Sequence, residues 1–346
     1  MTRREVAFLV PEGIDDPARV SGGNVYDRRV RDGLVACGWA VSTVEVTDAA
    51  GASRVLRGQP LGSAVLVDGL VALGAPDEIA AASTRLRIIV LAHMVAGSFP
   101  DATARTMSAE RQMLDAAGHV IVTSRWTAAE LARRGLAGPA RVSVAAPGVE
   151  LPNAGDDTSA RRDELCDDDA GELLCVGVIA PHKGQDLLLD ALSRLPDRQW
   201  RCTLVGSTRP FRGFADTVAR GAQRFDGRVR LAGTLDGSEL AAQYRRAALL
   251  VAPSRIESSG MAIAEARGHA MPVVAAAVGG IPDTVAGGGA VLVPPDDPAA
   301  LADALDGWLS DPALRRRLRT EARAARSRLS TWADTVTAVA AVLEAP

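Results

Sequence analysis

Short apolar runs rich in Val, Ile and Leu alternate along the whole chain with Ala- and Arg-rich stretches whose apolar positions recur at helical spacing. The runs predict strands near residues 6–10, 40–46, 64–67, 87–91, 119–123 and 141–145, with helices filling the gaps. From residue 147 to 169 a cluster of Gly, Asn and Asp and the charged stretch DDTSARRDEL break the period, which marks a linker. A second series of strands follows, near residues 173–177, 202–205, 229–232, 249–252, 273–276 and 290–293. Strand and helix in strict alternation predict an α/β fold, with two doubly wound parallel sheets covered by helices on both faces. Ligands of such sheets sit at the carboxyl ends of the strands, so two of them facing each other would enclose a cleft. The tail beyond residue 298 is helical by composition, with Pro312 at a helix start.

A chain of 346 residues is long enough for two domains, which the pattern places at 1–150 and 171–325 around a linker at 151–170. Hydrophobic content of 47% with 23% charged residues excludes a disordered or collagenous chain. The net charge of −3 gives no general attraction to nucleic acid or anionic lipid. The cysteines Cys37, Cys166, Cys175 and Cys202 form no CxxC pair, so free thiols in a reducing compartment are expected. The apolar run before Pro11 is too short for a signal peptide, and nothing approaches the roughly 18 apolar residues of a membrane span. A cytoplasmic protein with no transmembrane segment is the expectation. All 39 basic residues except Lys183 are arginine, which directs attention to that lysine.

Candidate chemistry concentrates in a few places. The run PSRIESSGMAIAEARGHAMPVV follows a predicted strand and opens a short helix near Gly260. Backbone N–H groups of Ser258, Ser259, Gly260, Met261 and Ala262 would then be unpaired and suited to an anion such as a diphosphate. Glu257 precedes this turn and Glu265 lies within the helix, so both carboxylates could line the mouth of the site; the bland alternative is a cap and a solvated helical residue. In CVGVIAPHKGQDLLLDAL, Lys183 stands at the carboxyl edge of a strand beside a helix N-terminus, where an ammonium can meet phosphate oxygens. Gly22 and Gly23 precede a helix carrying Val25, Val30, Leu34 and Val35 at helical spacing; they allow close backbone approach but do not make a dinucleotide fingerprint. His93 ends the apolar strand IIVLA, where it is either a ligand contact or a satisfied structural residue.

The segment ESSGMAIAE, flanked by the preceding strand and by PVV and GGIPD, resembles the E-x7-E motif of the retaining glycosyltransferases of family 4. The likeness extends to the Gly-Gly loop, to APGVE, to VGxxxPxKG, and to VGS followed by VRLAGTL, and so covers nearly the whole chain. It implies the GT-B fold, two Rossmann-like domains, with the last helix, 326–346, crossing back to the first domain. It also implies a metal-independent hexosyl transfer with retention, from a UDP- or GDP-type sugar to a hydroxyl of a small-molecule, natural-product or lipid-head-group acceptor. In this pattern Glu265 would bond the ribose, Glu257 and His93 the transferred sugar, and Lys183 the leaving diphosphate. Ser258, Ser259, Gly260, Met261, Ala262, Gly22, Gly23 and Gly177 would complete the donor site, and Asn24, Tyr26 and Met94 would face the acceptor. One departure stands out: Val178 occupies the position where relatives often carry a second cation, for which Arg255 and Arg209 are the candidate substitutes.

No cofactor is expected, the nucleotide sugar being a substrate, and no metal. Asp167, Asp168 and Asp169 read as a solvated acidic run, and no His and Cys cluster has ligand spacing. The arginines between residues 315 and 328 read as a solvated helical face, with weak membrane-surface contact as the alternative. Two other readings stay open, a nucleotide-sugar 2-epimerase of the same fold and a non-catalytic nucleotide-sugar binder.

Overall fold

The computed structural model describes residues 4–17, 19–151 and 170–345; Cys166, the acidic run 167–169 and most of the expected linker lie outside the described residues. The chain divides into two compact units, Met1–Gly148 with Ser330–Pro346, and Val149–Leu329.

The first unit is built on the strands β1 (Glu5–Pro11), β2 (Ala40–Val46), β3 (Ala64–Asp68), β4 (Arg87–Ala92), β5 (His119–Val122) and β6 (Val142–Val144). They form one parallel sheet in the order β2-β1-β3-β4-β5-β6. Its crossovers are α1 (Gly22–Ala36), α2 (Ala49–Gly58), α3 (Gly69–Gly74), α4 (Pro76–Ser83), α5 (Ala104–Ala116) and α6 (Arg125–Arg133). Successive strand residues point to opposite faces, so the near-continuous apolar runs feed two cores. Ala7, Leu9, Val67 and Val90 pack on one side, while Phe8, Val10, Leu66 and Ile89 pack on the other with Tyr26, Val30 and Leu34 of α1.

The second unit repeats the plan with β7 (Glu172–Val176), β8 (Arg201–Val205), β9 (Val229–Gly233), β10 (Leu249–Ala252), β11 (Val273–Ala276) and β12 (Ala290–Val293). The sheet is again parallel, ordered β12-β11-β10-β7-β8-β9. Its helices are α7 (Gln185–Ser193), α8 (Arg212–Gln223), α9 (Gly237–Arg246), α10 (Met261–Gly268), α11 (Ile281–Thr284), α12 (Pro298–Ser310) and α13 (Pro312–Arg326). Asp311 caps α13 and Pro312 is its first residue, as the sequence predicts.

The last helix, α14 (Trp332–Glu344), belongs to the first unit. A capping box between Thr331 and Asp334 starts it, and Val336, Val339, Val342 and Leu343 bury against α1 and the sheet. Among the described residues Cys37, Cys175 and Cys202 are free thiols; burial pushes the Cys175 thiol up to about 12, which leaves it inert.

Candidate active site

In the second sheet the strand order reverses direction between β7 and β10, and the loops leaving those two strands therefore flank the crevice in which doubly wound sheets bind ligands. Lys183 comes from the first loop and Glu257 from the second. Backbone bonds knit the two together, Arg255 N–H donating to the His182 carbonyl at 2.8 Å. A Cβ on Gly184 would fall 2.1 Å from the Pro253 carbonyl oxygen, so only glycine allows this approach. Gln185, 1% exposed, fixes the Lys183 loop from behind, donating to the Val178 carbonyl at 3.0 Å and accepting from Ala180 N–H. The Glu257 loop is held by α11: Gly280 N–H donates to the Glu257 carbonyl at 3.0 Å, and Thr284 Oγ1 donates to the Ser259 carbonyl. Gly279, with φ at +54°, lies so close that a Cβ there would meet the same carbonyl oxygen at 1.7 Å.

Lys183 Nζ and Glu257 Oε2 meet at 2.6 Å, their side chains 24% and 16% exposed. Burial pushes the Glu257 carboxyl upward, but the ammonium outweighs it and holds it below the usual range, so this is an ion pair. The other carboxylate oxygen accepts from Gly260 N–H at 3.3 Å. Glu257 is thus the partner of the lone lysine and holds the amide of Gly260, where α10 opens, without capping the first turn of the helix. The helices opening here, α7 and α10, start on left-handed glycines, Gly184 and Gly260, and neither has a side-chain cap. Their first-turn amides are left for an external acceptor. Glu265 stands half-buried in α10 and accepts from the Tyr244 hydroxyl at 2.8 Å, so it is an oriented carboxylate rather than a solvated one.

The first sheet has its own reversal, between β1 and β3. His93, just beyond β4, places Nε2 2.9 Å from Asp27 Oδ1 and 3.2 Å from Asp68 Oδ2, with Asp27 and Asp68 side chains 1% and 2% exposed. Asp68 ends β3 and caps α3 through its other oxygen, which accepts from Leu70 and Val71 N–H. Burial raises the Asp27 carboxyl to about 6 against the pull of His93. Burial also opposes a charge on His93, yet the two carboxylates outweigh it and raise the imidazole above its ordinary value. The Tyr26 ring packs edge-on against it, 5.1 Å between centroids, and a Cβ on Gly23 would touch Cδ2 at 3.4 Å. Among the described residues this trio is the group whose donor atoms, all within 4.8 Å of one another, could take a metal ion.

Several expectations need correction. Gly22 and Gly23 do not precede α1 but form its first turn, capped by Ser21, which accepts from Asn24 N–H at 3.1 Å. Tyr26 does not face an acceptor: it is 0% exposed, and its hydroxyl donates to the Ala145 carbonyl at 2.7 Å. Arg255 cannot stand in for a cation at Val178, because it already pairs with Asp186 at 2.9 Å and Asp296 at 2.6 Å and donates to the Pro181 carbonyl. Arg209, exposed on the loop after β8, remains. Met94 is 40% exposed, Asn24 donates to the Arg19 carbonyl, and Gly177 lies alongside Lys183, where a Cβ would sit 3.5 Å from Cδ. Ser258 is buried and Ser259 half-buried. Asp27, Asp68 and Gln185 were missed: Asp27 looks like one more helical carboxylate, and only the β3–α3 turn could have flagged Asp68 as a cap.

Residues 170–311 match the family described as glycosyl transferases group 1. A D-inositol 3-phosphate glycosyltransferase 2 of Catenulispora acidiphila is 37% identical over 233 residues, 64% of this chain and 54% of that protein. The D-inositol 3-phosphate glycosyltransferase of Mycolicibacterium vanbaalenii is 34% identical over 266 residues, 72% of this chain and 58% of that protein. The chain therefore spans little more than half the length of these curated relatives. Among solved structures, a sucrose-phosphate synthase from Thermosynechococcus elongatus superposes with a TM-score of 0.80 at 23% identity, covering 98% of both chains. Anabaena HepE in complex with UDP and glucose gives 0.78 at 20% identity, covering 99% of this chain and 100% of that one. No helix among the described residues is long and apolar enough to cross a membrane. Two parallel six-stranded sheets give the chain the GT-B fold, and residues 170–311, the body of the second unit, are its glycosyl transferases group 1 domain.

Proposed function

We propose that the chain transfers a hexosyl group, with retention, from a nucleotide-diphosphate sugar to a hydroxyl of a small-molecule acceptor, an inositol phosphate being the first class to test. The observation that carries this reading is the Lys183–Glu257 pair at the reversal of the second sheet, between two helices that open on uncapped glycines. Cleavage of the anomeric bond leaves charge on the diphosphate while the sugar gains oxocarbenium character. Lys183 and the amides of Met261 and Ala262 would meet that growing negative charge, which lowers the barrier without reorganisation. A diphosphate drawing on Lys183 loosens its bond to Glu257, whose carboxylate then serves a sugar hydroxyl. Glu265, oriented by Tyr244, would hold the ribose. Front-face attack, with the departing phosphate accepting the acceptor's proton, accords with the resemblance and requires no protein nucleophile. The acceptor class rests on the names of the relatives.

The test is incubation with UDP, GDP, ADP and TDP sugars, with and without inositol phosphates, followed by mass analysis of products. Lys183→Ala is expected to slow turnover on the order of 100-fold, and Glu265→Ala to weaken nucleotide binding. Unchanged kinetics in both variants would sink the assignment. The trio of Asp27, Asp68 and His93 supplies the carboxylates and imidazole that a 2-epimerase would use, so the acceptor-free arm also looks for an epimer. The relatives' names favour transfer.

A further inference from the structure

We infer that Arg255 is the positioning residue of the Lys183–Glu257 pair: its guanidinium clasps the loops that carry the two residues and covers Asp186, so that a diphosphate meets the lysine and not a bare carboxylate. The fork makes four bonds. Nε donates to Asp296 Oδ1 at 2.6 Å, Nη1 to the Pro181 carbonyl at 2.7 Å and to Asp186 Oδ1 at 2.9 Å, and Nη2 to Asp186 Oδ2 at 2.9 Å. These partners come from the loop after β7, the first turn of α7 and the loop after β12, while Arg255 itself leaves β10. Each member of the ion pair lies two positions from the clasp, Lys183 from Pro181 and Glu257 from Arg255. The Arg255 and Ile256 N–H groups, donating to the His182 carbonyl at 2.8 Å and 3.3 Å, close the same gap. A planar fork holds one carboxylate bidentately and still reaches two further acceptors, which a lysine cannot do. Asp296 takes part at φ +54°, a left-handed conformation that side chains rarely adopt, and the turn there delivers its carboxylate to Nε.

The second half of the role is electrostatic. Asp186 stands in the first turn of α7, the helix whose uncapped amides flank Lys183. A carboxylate there suits the helix dipole but repels an incoming anion. The bidentate bond to Arg255 cancels that charge at short range, and with side chains 25% and 40% exposed the pair is still open to screening by salt. The diphosphate in this argument rests on the function proposed above; the coupling of Arg255 to Lys183 does not.

The experiment has two arms. Because Lys183 is the chain's one lysine, its side chain gives a single NMR resonance in a lysine-labelled sample. Arg255→Gln should shift that resonance and speed acylation of the ammonium several-fold. Arg198→Gln, which breaks the Arg198–Asp306 pair of the same unit, should change neither. Asp296→Asn loosens one arm of the fork, should shift the resonance in the same direction by less, and serves as the second variant if Arg255→Gln melts early. In the other arm, Arg255→Gln should weaken UDP binding by about tenfold at low salt, as an uncovered like charge repels the phosphates, and leave uridine binding unchanged. Adding Asp186→Asn should restore UDP affinity, and so should about 1 M salt in the single variant. A part that is merely structural would weaken uridine equally and gain nothing from the second substitution. An unmoved lysine resonance in Arg255→Gln would overturn the inference, as would a UDP defect that Asp186→Asn fails to repair. If the wild type binds none of UDP, GDP, ADP and TDP, the proposed function fails while the lysine arm still decides the clasp.

Discussion

At the scale of single residues, burial and pairing separate groups that look alike in sequence. Glu257 and Glu265 are both glutamates of one motif, yet one is an ion-pair partner of Lys183 and the other an acceptor for a buried tyrosine. Tyr26 shows the opposite case, a residue beside a candidate loop that belongs to the core. Tyr26→Phe should therefore cost about 1 kcal/mol of stability for the lost bond to Ala145 and leave the acceptor KM unchanged, readable from denaturant melts and kinetics. Glu130 offers a pH test. Its bond to Arg133, opposed by burial and assisted by Arg134, lowers the carboxyl to about 2. A depressed carboxyl contributes stability that is complete above its unfolded value near 4.5 and is lost as pH falls toward 2. Glu130→Gln should be destabilised by about 1 kcal/mol at pH 7, Arg133 being largely exposed, and the gap to wild type should close in acid denaturation near pH 2.

At the scale of elements, the close approaches that build the site depend on glycine, and so does the seat of α14. Gly33 in α1 faces Val336, where a Cβ would fall 2.2 Å from Cγ2. Gly33→Ala gains about 1 kcal/mol in helix propensity, but overpacking costs about 1–3 kcal/mol, so a net loss or near-cancellation is expected. Adding Val336→Ala should make the glycine replacement favourable, a sign change that a double-mutant cycle measures. All twelve predicted strands are present within a residue or two of their expected places, because β-branched runs between helical stretches have few other ways to bury both faces. Gly-Gly, the usual mark of a loop, predicts a later start for α1 than Gly22, where the helix begins. Ser21, a good cap with its acceptor aimed at Asn24 N–H, overrides that tendency.

At the scale of the whole molecule, the second unit is one continuous stretch with a complete sheet, whereas the first is completed by residues from the far end of the chain. The fragment 149–329 should accordingly melt cooperatively on its own. The fragment 1–148 should not, since without α14 the apolar face formed by Phe8, Tyr26 and Leu34 lies open to water. Supplying 330–346 as a peptide should restore a cooperative transition, and calorimetry of the separate fragments checks both statements. A stable, monomeric 1–148 would show that α14 is dispensable to that core.

The sequence by itself determined the α/β class, the strands, the E-x7-E loop and the singular lysine, because these follow from local periodicity, turn chemistry and spacing within short segments. Strand order, the reversal that brings Lys183 to Glu257 across 74 positions, and the convergence of Asp27, Asp68 and His93 were decided only in the tertiary structure. The physical reason is that an ionisable group acquires its charge state and its role from neighbours and burial, which spacing along the chain does not specify.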